Sequence, residues 1–410
     1  MKKILTLLIF LPILKGFGQN DSINRFTDYS FVIMDSPAQL FTMRQVNESY
    51  LSGYRIFAKG LYSASKNETI ANLIQVGLQG LFLVPLTHEE GHRSILTANN
   101  IGSISQPYFN KHGAAYVKGV TDETLQDLRD TNFPNYIRLH TGGLESDYML
   151  TKRMENIGSF EFDDFKNYKV EYFFRKLAIL QYYMSGLFKL EIDLEEEQDE
   201  LERDIVGFDT YGAARHLHRP EMDFYRYTRF EDLTNEEVKF VKRLGFRSML
   251  NLLNPLIIGK ENFRVNENTK INFGVGYTMS PFGDFIDETL WIKHNNLNLS
   301  VYARQFQNRE NWFNGFGVSI HNFNLYKTFF TSLSGHYWNQ PKDFDFNTSN
   351  SFTGGALDLE VKYFILNKRD QWLNAFSIDA GLIYKTKGFL PEELYLDKHV
   401  GLRIGTTIRL

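Results

Sequence analysis

The chain of 410 residues contains no cysteine. Disulfide bonds and a lipid-modified cysteine are therefore excluded, and the fold must be stabilised by its core, by closure of a sheet or by a metal ion. Proline is also scarce, with 10 residues, whereas there are 36 Phe and 22 Tyr. Few prolines and many aromatic residues are typical of β-strands and membrane-interface positions, although an aromatic-rich soluble core gives the same counts.

The apolar run at the N-terminus is too short to cross a bilayer. It covers residues 4–14, follows Lys2 and Lys3, and is followed by Gly16 and Gly18. A basic start, a short apolar stretch and small residues two apart predict a secretory signal peptide over residues 1–18, and so an exported protein. An uncleaved anchor helix is the alternative, but such a helix needs about 20 apolar residues.

An excess of positive charge is also missing. The formal net charge is −4, and loss of Lys2, Lys3 and Lys15 with the signal peptide makes it −7. Proteins that bind nucleic acid usually carry basic patches that neutralise phosphates. We therefore expect no nucleic acid partner.

Residues 19–265 predict a mostly helical domain. Within it, residues 70–87 carry no charged side chain, but Asn72, Gln75 and Gln79 recur at spacings of three and four. That spacing places the three amides in one polar stripe along a helix. We expect a buried amphipathic helix here rather than one that faces lipid, which also counts against cleavage of substrates inside the membrane.

From about residue 270 the apolar period changes from helical to two. Ile271, Phe273 and Val275 alternate with small or polar residues, and similar segments recur up to Leu410. This alternation predicts strands with one apolar and one polar face. The pattern predicts about eight strands over residues 266–410, hence an antiparallel β-barrel after the helical domain in an α+β multidomain protein.

These long alternating strands with aromatic-rich ends, in an exported chain with few prolines, resemble the outer-membrane β-barrel class over the last third of the chain. The resemblance implies insertion into the cell outer membrane, with its lipid as a partner and the helical domain in the periplasm. A water-soluble barrel or sandwich is the alternative.

The strongest chemical signal is the run His88-Glu89-Glu90-Gly91-His92. Histidines four residues apart lie on the same face of a helix and can bind one metal ion. Imidazole nitrogens suit Zn²⁺, and Glu89 is placed to act as a general base toward water. The sequence therefore predicts a zinc site with His88 and His92 as ligands and Glu89 as the catalytic residue.

The run resembles the His-Glu-x-x-His signature of zincin metallopeptidases. No third histidine follows closely, so the chain is more similar to the gluzincin group, in which a later glutamate completes the site. The resemblance implies Glu145 as the third ligand, although a glutamate in the first turn of a helix explains that residue equally well. Asp147 is expected as an orienting partner of a ligand. His140 is expected either as a ligand or as a stabiliser of the transition state, and His216 as a stabiliser of the transition state, with a surface histidine in a basic loop as the alternative for His216.

Two functions follow from these patterns. The first is a zinc metallopeptidase in the cell envelope that hydrolyses peptide or protein substrates and is tethered by an outer-membrane barrel. The second is a non-enzymatic barrel protein whose periplasmic domain is a scaffold and whose histidine pair is structural or incidental.

Overall fold

The structure is a computed structural model that describes residues 27–36, 41–65, 67–109, 115–190, 197–326, 328–367 and 373–410. The predicted signal peptide, residues 1–18, lies outside the described residues. The fold is α+β, with a mainly helical first part and a large antiparallel sheet formed mostly by the rest of the chain.

The helices lie in the first two thirds of the chain. They are α1 (Met43–Ser65), α2 (Glu68–Leu78), α3 (Val84–Ala98), α4 (Asp122–Thr131), α5 (Phe133–Phe160), α6 (Lys169–Phe188), α7 (Asp209–His218) and α8 (Asn235–Ser248). Short 3₁₀ turns at Met249–Leu252 and Pro255–Ile258 follow α8.

A π-helical segment, Gln79–Leu83, joins α2 to α3 into one continuous helix, Glu68–Ala98. Pro85 lies just after this segment and has no backbone N–H to donate, which accounts for the local change in hydrogen bonding. Among the described residues this is the one helix long and apolar enough to cross a membrane, with a mean hydropathy of 1.5 over its most apolar stretch.

The strands are β1 (Asp28–Ser36), β2 (Ile104–Gln106), β3 (Tyr116–Lys118), β4 (Phe263–Arg264), β5 (Thr269–Ser280), β6 (Gly283–His294), β7 (Leu297–Gln307), β8 (Trp312–Tyr326), β9 (Phe329–Pro341), β10 (Ser351–Asn367), β11 (Ala375–Lys385) and β12 (His399–Arg409). Strands β2 and β3 form a small pair of their own, and the other strands form one antiparallel sheet.

The large sheet has ten strands in the order β1-β12-β11-β10-β9-β8-β7-β6-β5-β4. The expected count of about eight is therefore too low, because β1 from the N-terminal part and the short β4 also join the sheet. In the part of the chain that the structure describes, β1 and β4 do not pair with each other, so strand pairing alone does not close the sheet into the predicted barrel.

The two faces of the sheet differ in the way that the alternation predicts. In β6, Phe285, Asp287 and Trp291 are buried on the inner face, while Glu288 and Leu290 point outward. Adjacent strands keep this register, since Phe285 pairs with Phe306 and Leu290 with Val301. Large apolar side chains consequently cover most of the outer face.

Helix α5 packs against the inner face of the sheet. The Tyr148 hydroxyl donates to Asp287 at 2.7 Å, and the Lys152 ammonium donates to the Thr289 hydroxyl at 3.0 Å. Tyr148 and Phe285 also belong to one buried apolar cluster. The helices and the sheet therefore share a core, although the sequence pattern changes near residue 265.

The polar stripe on α2 corrects one expectation. Gln75 and Gln79 are buried, and the Tyr54 hydroxyl donates to Gln75 at 2.6 Å. The apolar side of the same helix, expected to lie in the core, is instead exposed at Leu73 and Leu81. The helical period was predicted correctly, but periodicity alone does not say which face is covered by protein.

Candidate metal centre

The centre is built on α3, which carries His88, Glu89 and His92. The two imidazoles lie on one face of the helix, with ring centroids 4.9 Å apart, and both are at most 3% exposed. One helical turn separates them, as the spacing of four residues requires. Glu89, adjacent in sequence, is also buried.

A close crossing of α3 and α5 positions these side chains. A Cβ atom at Gly91 would overlap the carbonyl oxygen of Gly142, so the two backbones touch at this point. A Cβ at Gly143 would overlap Nε2 of both His88 and His92. Glycine at these three positions therefore allows the histidine pair to lie directly against α5.

Each imidazole is oriented by a hydrogen bond at Nδ1. His88 Nδ1 lies 2.8 Å from Oδ2 of Asp147, and His92 Nδ1 lies 2.7 Å from the carbonyl oxygen of Leu139. When Nδ1 carries the proton and donates it to these acceptors, the lone pair is at Nε2, where a metal ion can bind. The two Nε2 atoms thus form the binding side of the pair.

Asp209, the first residue of α7, supplies the carboxylate beside both Nε2 atoms. Its Oδ2 is 3.2 Å from Nε2 of His88 and 3.5 Å from Nε2 of His92. The ligand atoms of the three buried residues all lie within 4.8 Å of one another, close enough for one ion. Burial alone would raise the pKa of Asp209, but the nearby His92 and the hydrogen bonds to both imidazoles outweigh it and hold that pKa below its usual range.

Glu145, the expected third ligand, lies elsewhere. Its two carboxylate oxygens accept hydrogen bonds from the Arg138 guanidinium at 2.6 and 2.9 Å, and one of them also accepts from the backbone N–H of Glu392. A carboxylate committed to a buried bidentate ion pair is not available to a metal. Asp209 takes the place of Glu145 as the third member of the group that could hold a metal ion, and sequence reasoning missed it.

Asp147 links the centre to α6. One carboxylate oxygen contacts His88, and the other accepts a hydrogen bond from Arg175 at 2.5 Å. Arg175 also donates to the carbonyl oxygens of Leu83 and Val84, where the π-helical segment meets α3. The orientation of His88 is therefore coupled to the irregular part of its own helix.

His140 and His216 form a second buried group beside the centre. Their ring centroids are 5.6 Å apart, and the Tyr136 hydroxyl lies 3.1 Å from Nε2 of His216. Within the described residues, neither ring nitrogen of His140 has a hydrogen-bond partner. Buried orphan nitrogens of this kind are rare and call for a water, an ion or a substrate group. A Cβ at Gly212 would overlap the His140 ring, so α7 lies close against it.

Two further side chains lie near the centre, Tyr182 beside His88 and Asp204 near Glu89. The Tyr182 ring stacks on His88, with centroids 4.7 Å apart and planes at 16°. Burial raises the pKa of Asp204 to about 8, and the negative charge of Glu89 adds to that rise. A carboxyl group that stays protonated near neutral pH therefore lies within electrostatic range of Glu89.

No protein-family model and no curated protein matches this chain. The case for a metal therefore comes from the donor set. Two imidazole nitrogens and one carboxylate oxygen are the three protein ligands of many catalytic zinc sites, which leave a fourth position open. The same set also binds iron(II) in some oxygenases. The residues present thus fit a single divalent transition-metal ion.

Proposed function

We propose that the protein is a zinc-dependent hydrolase of peptide or protein substrates, in which His88, His92 and Asp209 hold the metal and Glu89 is the general base. The observation that carries this proposal is the convergence of the two Nε2 atoms on Asp209, while each Nδ1 has its own acceptor. Histidines that bind a metal usually have such a hydrogen bond at the ring nitrogen that faces away from the ion.

The chain's own groups account for the steps of hydrolysis. Bound zinc would supply a Lewis acid that polarises a substrate carbonyl and makes water easier to deprotonate. Glu89, one residue after His88 on the same helix, takes the proton of the attacking water on its carboxylate and can pass it to the leaving amine. Asp147 keeps His88 in the tautomer that presents Nε2, and the unpartnered His140 is suited to donate a hydrogen bond to developing negative charge.

The choice of a peptide substrate comes from the resemblance of His88-Glu89-Glu90-Gly91-His92 to the zincin signature. The spacing of the two histidines on one helix, the glutamate after the first histidine and the buried carboxylate of Asp209 all agree with that chemistry. The third ligand, an aspartate on α7, departs from the gluzincin arrangement. The reaction expected of these groups is hydrolysis of an amide bond.

We place the protein in the cell outer membrane after export. Exposed apolar side chains cover the outer face of the sheet, among them Phe316, Leu333, Leu357 and Leu402. The inner face carries polar groups such as the buried ion pair of Arg304 with Asp287. Apolar-out and polar-in alternation is what a sheet in contact with lipid requires, whereas an isolated water-soluble protein rarely exposes so large an apolar area.

A non-enzymatic scaffold is the second candidate, and one observation favours it. His88, His92 and Asp209 are at most 3% exposed. Both imidazoles have hydrogen-bond acceptors at Nδ1, in Asp147 and Leu139, and Asp209 lies beside Nε2 of His88. In a scaffold protein, a closed centre of this kind would hold α3, α5 and α7 together and have no other role. In that case the carboxylate of Glu89 would have no role in any reaction.

Exchange of neighbouring glutamates separates the two functions. Glu89→Gln should retain the metal and abolish hydrolysis of fluorescein-labelled casein and of a quenched peptide library. Glu90→Gln is the matched control, because Glu90 lies on the same turn and pairs with Arg93 rather than with the histidines. Glu90→Gln should keep activity. Equal activity of the two variants, or no metal-dependent hydrolysis in the wild type, would reject the hydrolase.

A further inference from the structure

The helix that carries the metal ligands has its apolar side outside and its polar side inside. Gln75 and Gln79 are fully buried, and the Tyr62 hydroxyl donates to Asn72 at 2.6 Å. The opposite side exposes six large apolar side chains: Ile70, Leu73, Ile74, Leu78, Leu81 and Phe82. A surface helix in water shows the reverse arrangement, because each large apolar side chain removed from water contributes about 1.5–3 kcal/mol.

Helix α1 covers the edge of β1 that faces away from β12. The Ser52 hydroxyl donates to the carbonyl oxygen of Ser30 at 2.7 Å, and the backbone N–H of Val32 donates to the Ser49 hydroxyl. The Gln45 side-chain amide donates to the carbonyl oxygen of Ile33. Helix side chains thus satisfy edge groups that would otherwise need water or another strand.

The edge of β5 is covered in the same way by the turns after α8. The Asn251 amide donates to the carbonyl oxygen of Tyr277 and accepts from its backbone N–H, at 2.8 and 3.0 Å. The N–H of Val275 donates to the carbonyl oxygen of Leu253. Helical elements therefore cover both edges of the sheet along its long outer strands, which meets the requirement that no open sheet edge face hydrocarbon.

These covering elements also expose apolar side chains, and they pack in a continuous ring. Helix α1 packs on β1 and on α2, α2 packs on α6, and α6 packs on the Met249–Leu252 turn, which packs on β5. On the ring beyond α2, and on the adjoining end of α8 and the residues up to Ile258, the exposed apolar side chains are Phe57, Leu177, Phe246, Met249, Leu252, Leu253 and Ile258. The apolar surface of the sheet consequently continues around the helices.

We infer that lipid hydrocarbon covers the outer side of the helix over residues 70–82, so that helices complete a closed apolar belt begun by the sheet. The belt consists of that helix side, the ring residues just named and the outward side chains of the sheet. This inference rests on the proposed membrane location. The sequence predicted a separate helical domain in the periplasm. We infer instead that the helices form part of the surface that contacts lipid.

The belt brings the metal centre close to the membrane. Phe82 precedes His88 by six residues, which is about 9 Å along a helix axis. A substrate of the centre would then approach beside the bilayer rather than from bulk periplasm.

Site-directed spin labelling tests the belt directly, because the chain has no cysteine of its own. Four single-cysteine variants of the full chain are labelled with a nitroxide and placed in phosphatidylethanolamine–phosphatidylglycerol vesicles. Leu73→Cys and Leu81→Cys probe the helix, Leu357→Cys probes the sheet, and Glu123→Cys on exposed α4 is the aqueous control. Collision rates with oxygen, which concentrates in hydrocarbon, and with a water-soluble nickel chelate are then compared.

We expect the ratio of oxygen to nickel collisions at residues 73 and 81 to match that at 357 and to exceed that at 123 several-fold. Water-like values at 73 and 81 together with a lipid-like value at 357 would overturn the belt but leave the membrane location intact. Water-like values at all four positions would overturn both.

Discussion

The Asp147 carboxylate lies between His88 and Arg175, with one oxygen 2.8 Å from Nδ1 of His88 and the other 2.5 Å from the guanidinium. Asp147 therefore fixes which nitrogen of His88 is free for a metal, without being near enough to serve as a ligand itself. The candidate centre therefore includes this outer partner as well as its ligands.

Asp147→Asn should weaken metal binding about 10- to 100-fold, because an outer partner that sets the orientation and basicity of a ligand imidazole typically has an effect of that size. The affinity is measured by competition with a chromophoric chelator. An affinity equal to that of the wild type would show that Asp147 does not act on the metal through His88.

Asp209→Asn and Glu145→Gln should have opposite consequences. The first removes a proposed ligand, so metal affinity should fall by more than the roughly 10- to 100-fold expected for an outer partner. The second should keep the metal but lower the free energy of unfolding by about 3–5 kcal/mol, because it removes the only carboxylate that Arg138 contacts among the described residues and leaves the buried charge uncompensated. Metal loss in Glu145→Gln with retention in Asp209→Asn would restore Glu145 as the third ligand.

Gly91→Ala should separate α3 from α5. The added methyl group would overlap the Gly142 carbonyl, so we expect a loss of about 1–3 kcal/mol in unfolding free energy together with weaker metal binding. Gly77→Ala on α2 is the matched control, since nothing lies within 4 Å of its Cβ position. Alanine there should stabilise the helix by about 0.5–1 kcal/mol. Equal effects of the two substitutions would contradict the close crossing.

The raised pKa of Asp204 predicts that the stability of the fold depends on pH. Because its pKa is raised to about 8 in the folded protein, the unfolded chain releases its proton at lower pH than the folded chain does. Its contribution to stability is therefore complete below about pH 4 and is lost as the pH rises toward 8. In metal-free protein, Asp204→Asn should be more stable than the wild type at pH 8.5, and this advantage should shrink at pH 4.5. Thermal unfolding at the two pH values measures it, and a pH-independent difference would refute it.

The parts of the centre that the sequence predicted are local. His88, Glu89 and His92 lie within one helical turn and a half, so their spacing alone places them on one face. Asp209 is 121 residues from His88, and only the packing of α7 against α5 brings it near. Its one sequence signal is weak: an acid at a helix start, followed by Gly212, which allows close approach to His140.

The strands after residue 266 were predictable because an alternating pattern extends over many residues. Strand β1 was missed because Asp28–Ser36 is far in sequence from the alternating segments after residue 266, and its partner β12 lies at the other end of the chain. The sequence predicted that the apolar side of this helix would be buried, but the polar side is buried instead. Gln75 and Gln79 form hydrogen bonds with tyrosine hydroxyls inside the protein rather than with water. Periodicity identifies two faces, but the surrounding medium decides which one is covered.

Metal analysis of the purified full-length protein tests the central claim most directly. Elemental analysis should find about one zinc per chain in the wild type, little in His92→Ala or Asp209→Ala, and wild-type zinc in Glu90→Gln. A wild-type protein that contains no zinc and does not take it up, or that holds iron instead, would contradict the account.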